Sequence, residues 1–353
     1  MGNIQKYIVE SMSNIRMAIQ KIDKNGEGFV YVVDDNKKVI GLITDGDFRR
    51  SVINGISLNS KCIEIANKNF TYLDEDHNDK NKINLFLQND IQNLPIIKNN
   101  KLLDIIFRRD LNLSNKVITP NIKSDMSIVI MAGGKGTRMK PFTNILPKPL
   151  IPIGEKSMLE VIMDEYNKYF KGDFHISVNH KANLIKAYLE EFKDLYNMSY
   201  VLEDKPLGTG GALKYLSGKI KKPFFVSNCD IIIKADYENI YNNHIKNKYD
   251  LTLIASMIHY KVPYGVCEIN SVGELKQLKE KPEYDFLVNS GMYIVNPETL
   301  DLIPKNQFYN ITELILCVKE NGGRVGVFPV SEKSYLDAGQ WKEYGNMLNI
   351  LTK

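Results

Sequence analysis

From Met126 to the last residue, short apolar runs alternate with stretches of helical period, and this alternation restricts the fold more than any other feature of the chain. Ser127–Ala132 (SIVIMA) reads as a buried strand. Ser157–Phe170 carries apolar or aromatic residues at 158, 159, 162, 166 and 169, with Gly172 just past its end. That is the spacing of an amphipathic helix and its stop signal. Phe174–Val178 alternates as a strand, Ala182–Phe192 is helical, and Met198–Leu202 and Phe224–Val226 are strands. Asp236–Asn247 then reads as a helix and Leu251–Met257 as a strand. Strands separated by helices pair in parallel, because a parallel partner needs a crossover long enough to return the chain. The expected fold class is α/β, with a doubly wound, mainly parallel sheet.

The first 118 residues follow a different pattern. Val32–Phe48 (VVDDNKKVIGLITDGDF) and Pro95–Leu111 (PIIKNNKLLDIIFRRDL) repeat one scheme of strand, polar turn, strand and helix start, with Asp47 and Asp110 in register. Such a repeat implies a small two-copy α/β module packed on itself. The polar stretch Asn112–Asp125, broken by Pro120, reads as connecting chain. The expected division is a front module at 1–118, a linker at 119–125 and a second domain at 126–353.

Composition narrows the function classes. A chain of 353 residues with 43% hydrophobic and 25% charged residues suits two ordinary globular domains. Its net charge of +4 is small and spread out, which argues against a nucleic-acid partner. The four cysteines, Cys62, Cys229, Cys267 and Cys317, form neither a C-x-x-C pair nor a zinc spacing. No apolar run approaches the roughly 18 residues of a membrane span, and MGNIQKYIV does not read as a signal peptide. A cytoplasmic protein with reduced thiols and no membrane association is expected.

The chemistry concentrates in three segments. Ala132–Arg138 (AGGKGTR) directly follows the SIVIMA strand. Glycines there let backbone N–H groups converge on an anion, and Lys135 and Arg138 add cationic donors. It is neither a P-loop nor G-x-G-x-x-G. In Pro147-Lys148-Pro149 two prolines fix the backbone on both sides of one lysine. Ser227-Asn228-Cys229-Asp230 ends an apolar strand, where an aspartate reaches the ligand crevice of an α/β sheet. Each segment alone reads more readily as structural: a glycine turn, a proline-bounded loop with a solvated lysine, and a helix cap.

Read together, AGGKGTRMKPFTNILPKP resembles the signature of the sugar-phosphate nucleotidyltransferases, whose fold is Rossmann-like. The resemblance implies in-line attack of a sugar 1-phosphate on the α-phosphorus of a nucleoside triphosphate, with loss of pyrophosphate. By the same resemblance Ala132, Gly133, Gly134, Lys135, Gly136 and Thr137 hold the triphosphate, and Arg138 and Lys148 are catalytic. Gly208, in EDKPLGTGGAL, lies against the nucleoside. Asp230 and Asp337 (YLDAG) bind Mg²⁺, although Gln340 stands where the family often has threonine. Gly265, Glu280, Lys281 and Asn289 contact the sugar phosphate. The PLGT form of the second glycine loop points to GTP.

Gly41-Leu42-Ile43-Thr44-Asp45-Gly46-Asp47-Phe48 is similar to CBS domains, which implies a CBS pair with an adenine nucleotide on Thr44 and Asp47 and a homodimer. The second copy departs, with Phe107 for the threonine and Asp104 for the glycine. A CBS pair ahead of this transferase resembles the glucosamine-1-phosphate guanylyltransferases of bacterial legionaminic-acid biosynthesis, which serve flagellin glycosylation. The open alternatives are mannose or heptose 1-phosphate as acceptor, UTP or dTTP as donor, and an inactive nucleotide-sensing regulator.

Overall fold

The computed structural model describes residues 4–74, 91, 93–107 and 124–351. The chain divides into two compact units, Met1–Asn121 and Ile122–Lys353.

The first unit carries the internal repeat into three dimensions. Strands β1 (Ile8–Glu10), β2 (Phe29–Val33) and β3 (Val39–Thr44) form one sheet, and β4 (Leu73–Asp74), β5 (Asn93–Lys98) and β6 (Lys101–Phe107) form another. In each, the first pair is parallel and the second antiparallel. Helix α1 (Ile15–Asn25) links β1 to β2, and α2 (Asp45–Ile53) follows β3. The copies meet through an aromatic layer: Tyr7 stacks on Phe29 at 5.5 Å, and Phe107 lies 5.9 Å from Tyr7 and 6.2 Å from Phe29. Phe107 thus fills the core at the position where the first copy has Thr44. Asp110 and most of the expected linker lie outside the described residues. Asp125 is already the first residue of a strand.

In the second unit that strand is β7 (Asp125–Met131). A small hairpin, β8 (Pro152–Ile153) and β9 (Lys156–Ser157), leads to α3 (Met158–Asn167), whose Ser157 cap and Glu160 bond reciprocally to each other's backbone. Then follow β10 (Lys171–Val178), α4 (Ala182–Glu190), β11 (Asn197–Leu202), β12 (Phe224–Asn228), β13 (Ile231–Ile233), α5 (Tyr237–Asn247) and β14 (Leu251–Lys261). A ribbon of β15 (Val266–Ile269) and β16 (Leu275–Lys279) precedes β17 (Glu283–Val295), α6 (Ile311–Glu320), β18 (Val325–Val330), β19 (Tyr335–Asp337) and α7 (Trp341–Leu351).

Seven strands form the central sheet in the order β11-β10-β7-β12-β17-β14-β18. All pairs are parallel except those of β17, which runs antiparallel to both neighbours. That reversal follows from its connection: a ribbon, with no crossover helix, joins β14 to β17. The same pairing carries β14 to Lys261, past the expected end at Met257. Alternate residues of each strand serve opposite faces. Ile128, Ile130, Phe225 and Ile294 pack under α3, α4 and α5, whereas Val129, Val226 and Val295 pack with Leu314 and Val318 of α6. From β7 the chain builds outward through β10 and β11, then crosses to β12 on the other side of β7. The topological switch, where such sheets bind ligands, therefore lies at the carboxyl ends of β7 and β12.

Candidate active site

The loop after β7 opens this crevice. Gly136 has φ +62°, and a Cβ there would lie 2.9 Å from Thr143 Cγ2 and 3.0 Å from Lys148 Cβ. Only glycine fits both the left-handed backbone and this close approach. Thr143 Oγ1 donates to Gly136 O at 2.9 Å, fastening the loop to the segment that carries Lys148. Trp341 extends the fastening: its indole N–H donates to Lys140 O at 3.0 Å, and its ring packs on Phe142 at 4.8 Å.

Lys148 is 9% exposed, and its ammonium donates to Asp230 Oδ2. Each of these withdrawn polar groups is thus buried with a partner. Asp230 follows β12 by two residues and is itself 8% exposed. Ala338 N donates to Asp230 O at 2.9 Å, and the antiparallel β13–β19 pair sets Asp337 opposite Ile231. The two carboxylates therefore share the space beside Gly339, whose Cβ, if present, would stand 2.7 Å from Asp337 Oδ1 and 3.4 Å from Asp230 Oδ2. Burial raises the Asp337 carboxyl above its ordinary range; the Gly339 N–H opposes this, Asp230 adds to it, and Lys148 and Arg138 oppose it. Arg138 is exposed and lines the cleft. These two cations and two anions, drawn from four segments, thus form one electrostatic cluster. The neighbouring thiol of Cys229 is pushed up to about 12 by burial and by Asp230, so it stays protonated.

The cleft, of about 390 Å³, runs from Gly133, Gly134, Gly136 and Thr137 past Lys148 and Asp230 to Gly208 and Thr209. Glu203 ties its two glycine loops together from beneath. One oxygen accepts from Leu207 N at 2.9 Å and the other from Ser177 Oγ at 2.5 Å. The second oxygen also lies against Gly133, 2.8 Å from where a Cβ would be. Glu203 directly follows the expected strand Met198–Leu202 and reads in sequence as polar surface; only 9% exposed, it shows its role only in three dimensions.

Other expected site residues fall differently. Ala132 is fully buried and its N–H donates to Ser177 O, so it supports the loop from behind and offers no donor to a phosphate. Lys135 is exposed and is not among the residues lining the cleft. Gly265 and Glu280 meet at the base of the β15–β16 ribbon, where a Cβ on Gly265 would stand 3.0 Å from Glu280 Oε2. Lys281 N donates to Tyr264 O at 3.2 Å. These three lie beyond the cleft lining. Asn289 sits at a bulge in β17 opposite Ala255, with its amide donating to Tyr293 Oη at 2.8 Å and accepting from Gly291 N at 3.1 Å. Gly291, at φ +85°, packs against Asn228 of the cleft.

In the first unit Thr44 and Asp47 do meet, but as the cap of α2. Thr44 N and Oγ1 donate to Asp47 Oδ2 at 2.9 and 2.7 Å, and Asp47 N returns a bond to Thr44 Oγ1 at 3.3 Å. Asp47 Oδ1 accepts from Arg50 at 2.6 Å.

The model of the family described as nucleotidyl transferase matches residues 127–353. The chain belongs to this family. A model described as CBS domain matches residues 6–54. The nucleotidyl transferase chain is 32% identical over 187 residues to the mannose-1-phosphate guanyltransferase of Yarrowia lipolytica, covering 50% of this chain and 51% of that one. It is 30% identical over 229 residues to the mannose-1-phosphate guanyltransferase of Aspergillus fumigatus, covering 62% of each. The chain thus spans about half to three-fifths of the length of these relatives. The crystal structure of HddC from Yersinia pseudotuberculosis superposes with a TM-score of 0.50 at 26% identity, over 64% of this chain and 99% of that one. Among the described residues, no helix is long and apolar enough to cross a membrane.

Proposed function

We propose that this nucleotidyl transferase moves a nucleoside monophosphate, GMP before others, from a nucleoside triphosphate to a sugar 1-phosphate. The observation that carries the reading is the electrostatic clustering of Arg138, Lys148, Asp230 and Asp337, the first three of which line a glycine-rich cleft. A phosphate oxygen of the sugar 1-phosphate attacks the α-phosphorus; the bond from that phosphorus to the bridging oxygen breaks, and pyrophosphate leaves with the electron pair. The protein's contribution is positioning and charge neutralisation. The Gly133–Thr137 backbone cradles the triphosphate. Lys148 lies between the α-phosphate and the attacking phosphate, and Arg138, at the solvent side, stabilises the leaving group.

Two carboxylates beside one small space fit Mg²⁺, a hard cation that often completes its shell with water and substrate oxygens. Asp230 and Asp337 would hold it. When bound, it supplies charge neutralisation to the phosphate oxygens.

For the acceptor, the CBS-plus-transferase arrangement favours glucosamine 1-phosphate and a place in legionaminic-acid synthesis, whereas the names of the similar fungal proteins favour mannose 1-phosphate. The test is pyrophosphate release with Mg²⁺, each of four triphosphates, and glucosamine, mannose, glucose and heptose 1-phosphates. Release confined to one pairing names the substrates. No release with any pairing, by folded protein, overturns the reading in favour of a nucleotide-sensing regulator.

A further inference from the structure

The far wall of the cleft comes from a segment about a hundred residues away from the glycine loop it faces. Residues 307–310 run along Leu207–Gly211. Tyr309 N donates to Leu207 O at 2.9 Å, Tyr309 O accepts from Gly210 N and Gly211 N, both at 2.9 Å, and Ile311 N donates to Thr209 Oγ1 at 3.1 Å. Contact is close throughout: a Cβ on Gly208 would lie 2.7 Å from Tyr309 O, and one on Gly211 would lie 2.7 Å from Gln307 O. Between Gln307, which lies against Gly211, and the hydrogen-bonded Tyr309, Phe308 is 63% exposed and lines the cleft.

A single exposed apolar side chain needs no explanation in itself. Phe308 differs because the next residue, Tyr309, is hydrogen-bonded to the glycine loop, and because Phe308 lines the same cavity as Arg138, Lys148 and Asp230. Besides cations and glycines, the lining includes Pro206, Leu207 and Phe308. An anionic triphosphate with an aromatic base presents the same combination of charge and apolar face. Every nucleobase has a π-face that stacks on an aromatic ring, and the larger purine covers more of it.

We infer that Phe308 is the stacking platform for the base of the bound nucleotide and favours purines over pyrimidines. The inference deepens the proposed function and rests on it. Glycine at 208, 210 and 211 then has a structural reason: it lets the Phe308 segment close to hydrogen-bonding distance and fixes the ring relative to the phosphate cradle.

Calorimetric titration with GTP, UTP and inorganic tripolyphosphate tests this on the full chain, comparing wild type with Phe308→Ala and Phe308→Tyr. Loss of the ring is expected to weaken GTP about tenfold, UTP less, and tripolyphosphate not at all. Phe308→Tyr, which keeps the π-face, is expected to stay within about twofold of wild type. An equal loss for tripolyphosphate would assign Phe308 to loop structure and overturn the inference. So would unchanged GTP binding by Phe308→Ala when the wild type binds GTP. Wild-type protein that binds no nucleoside triphosphate overturns the proposed function along with it.

Discussion

Lys148 donates to Asp230 across 82 residues of sequence, with the two side chains only 11% and 12% exposed. The lysine comes from a proline-bounded turn and the aspartate from the end of a central strand. Removing one member of a buried pair leaves the other charge uncompensated, at a cost of about 3–5 kcal/mol. Lys148→Met is therefore expected to lower the melting temperature of the metal-free protein and to cut turnover about 10²–10³-fold. Because a cation at Asp230 replaces the missing charge, Mg²⁺ should raise the melting temperature of the variant more than that of wild type. Equal metal responses in scanning fluorimetry would separate Asp230 from metal binding.

Arg138 lines the cleft yet is exposed, so its loss should leave folding intact. Arg138→Ala is expected to reduce kcat about 10²–10³-fold, the usual loss for one transition-state donor. Pyrophosphate release under saturating substrate measures it. Near-normal turnover would remove Arg138 from the mechanism.

Gly208 combines φ +79° with the Tyr309 carbonyl 2.7 Å from any added Cβ. Neither backbone can yield without breaking the bonds to Gly210 and Gly211. Gly208→Ala is expected to cost about 1–2 kcal/mol from the left-handed conformation alone and to weaken GTP binding. Urea denaturation followed by Trp341 fluorescence, with a parallel GTP titration, checks both effects.

Asp45, at the start of α2, has a carboxyl pushed up to about 6, chiefly by burial; Arg49 opposes the shift and Asp23 adds to it. The folded protein thus holds this proton more tightly than the unfolded chain, whose carboxyl titrates near 3.8. Stability from this group is complete below the unfolded value and is lost as pH rises through about 6. Asp45→Asn is expected to protect the amides of α2 better than wild type at pH 7 and equally at pH 4. Hydrogen exchange of residues 45–53, compared between the two proteins at each pH, reads this directly.

Thr44 caps the same helix. Thr44→Ala is expected to destabilise α2 by about 1 kcal/mol, seen as faster exchange in residues 45–53. If the side chain also serves an adenine nucleotide, the variant will bind ATP or AMP more weakly in calorimetry, with basal turnover unchanged. No binding by the wild type ends the sensing role and leaves the cap as the function of Thr44.

The strand–helix alternation from Met126 predicted most elements, because burial of one face writes its period into the chain. The structure starts two of these helices with caps at Ser157 and Asp236, the first residues of the expected ranges. Antiparallel β17 was not legible, since its direction depends on what connects it. The Gly133–Arg138 loop and Lys148 stood out only when read together, as one family signature. Glu203 and Phe308 did not: a glutamate and a phenylalanine in polar surroundings look like surface and core until the chain is folded.

The sequence by itself determined most of the strands and helices, that the front module repeats, and which glycines, cations and carboxylates were candidates for chemistry. All of these are local, set by backbone freedom, side-chain period and charge. Only the tertiary structure decided that Lys148, Asp230 and Asp337 share one space, that Glu203 ties two glycine loops, and that Phe308 walls the cleft. Those relationships join residues dozens to more than a hundred positions apart, and such separations are closed by packing, which no local pattern encodes.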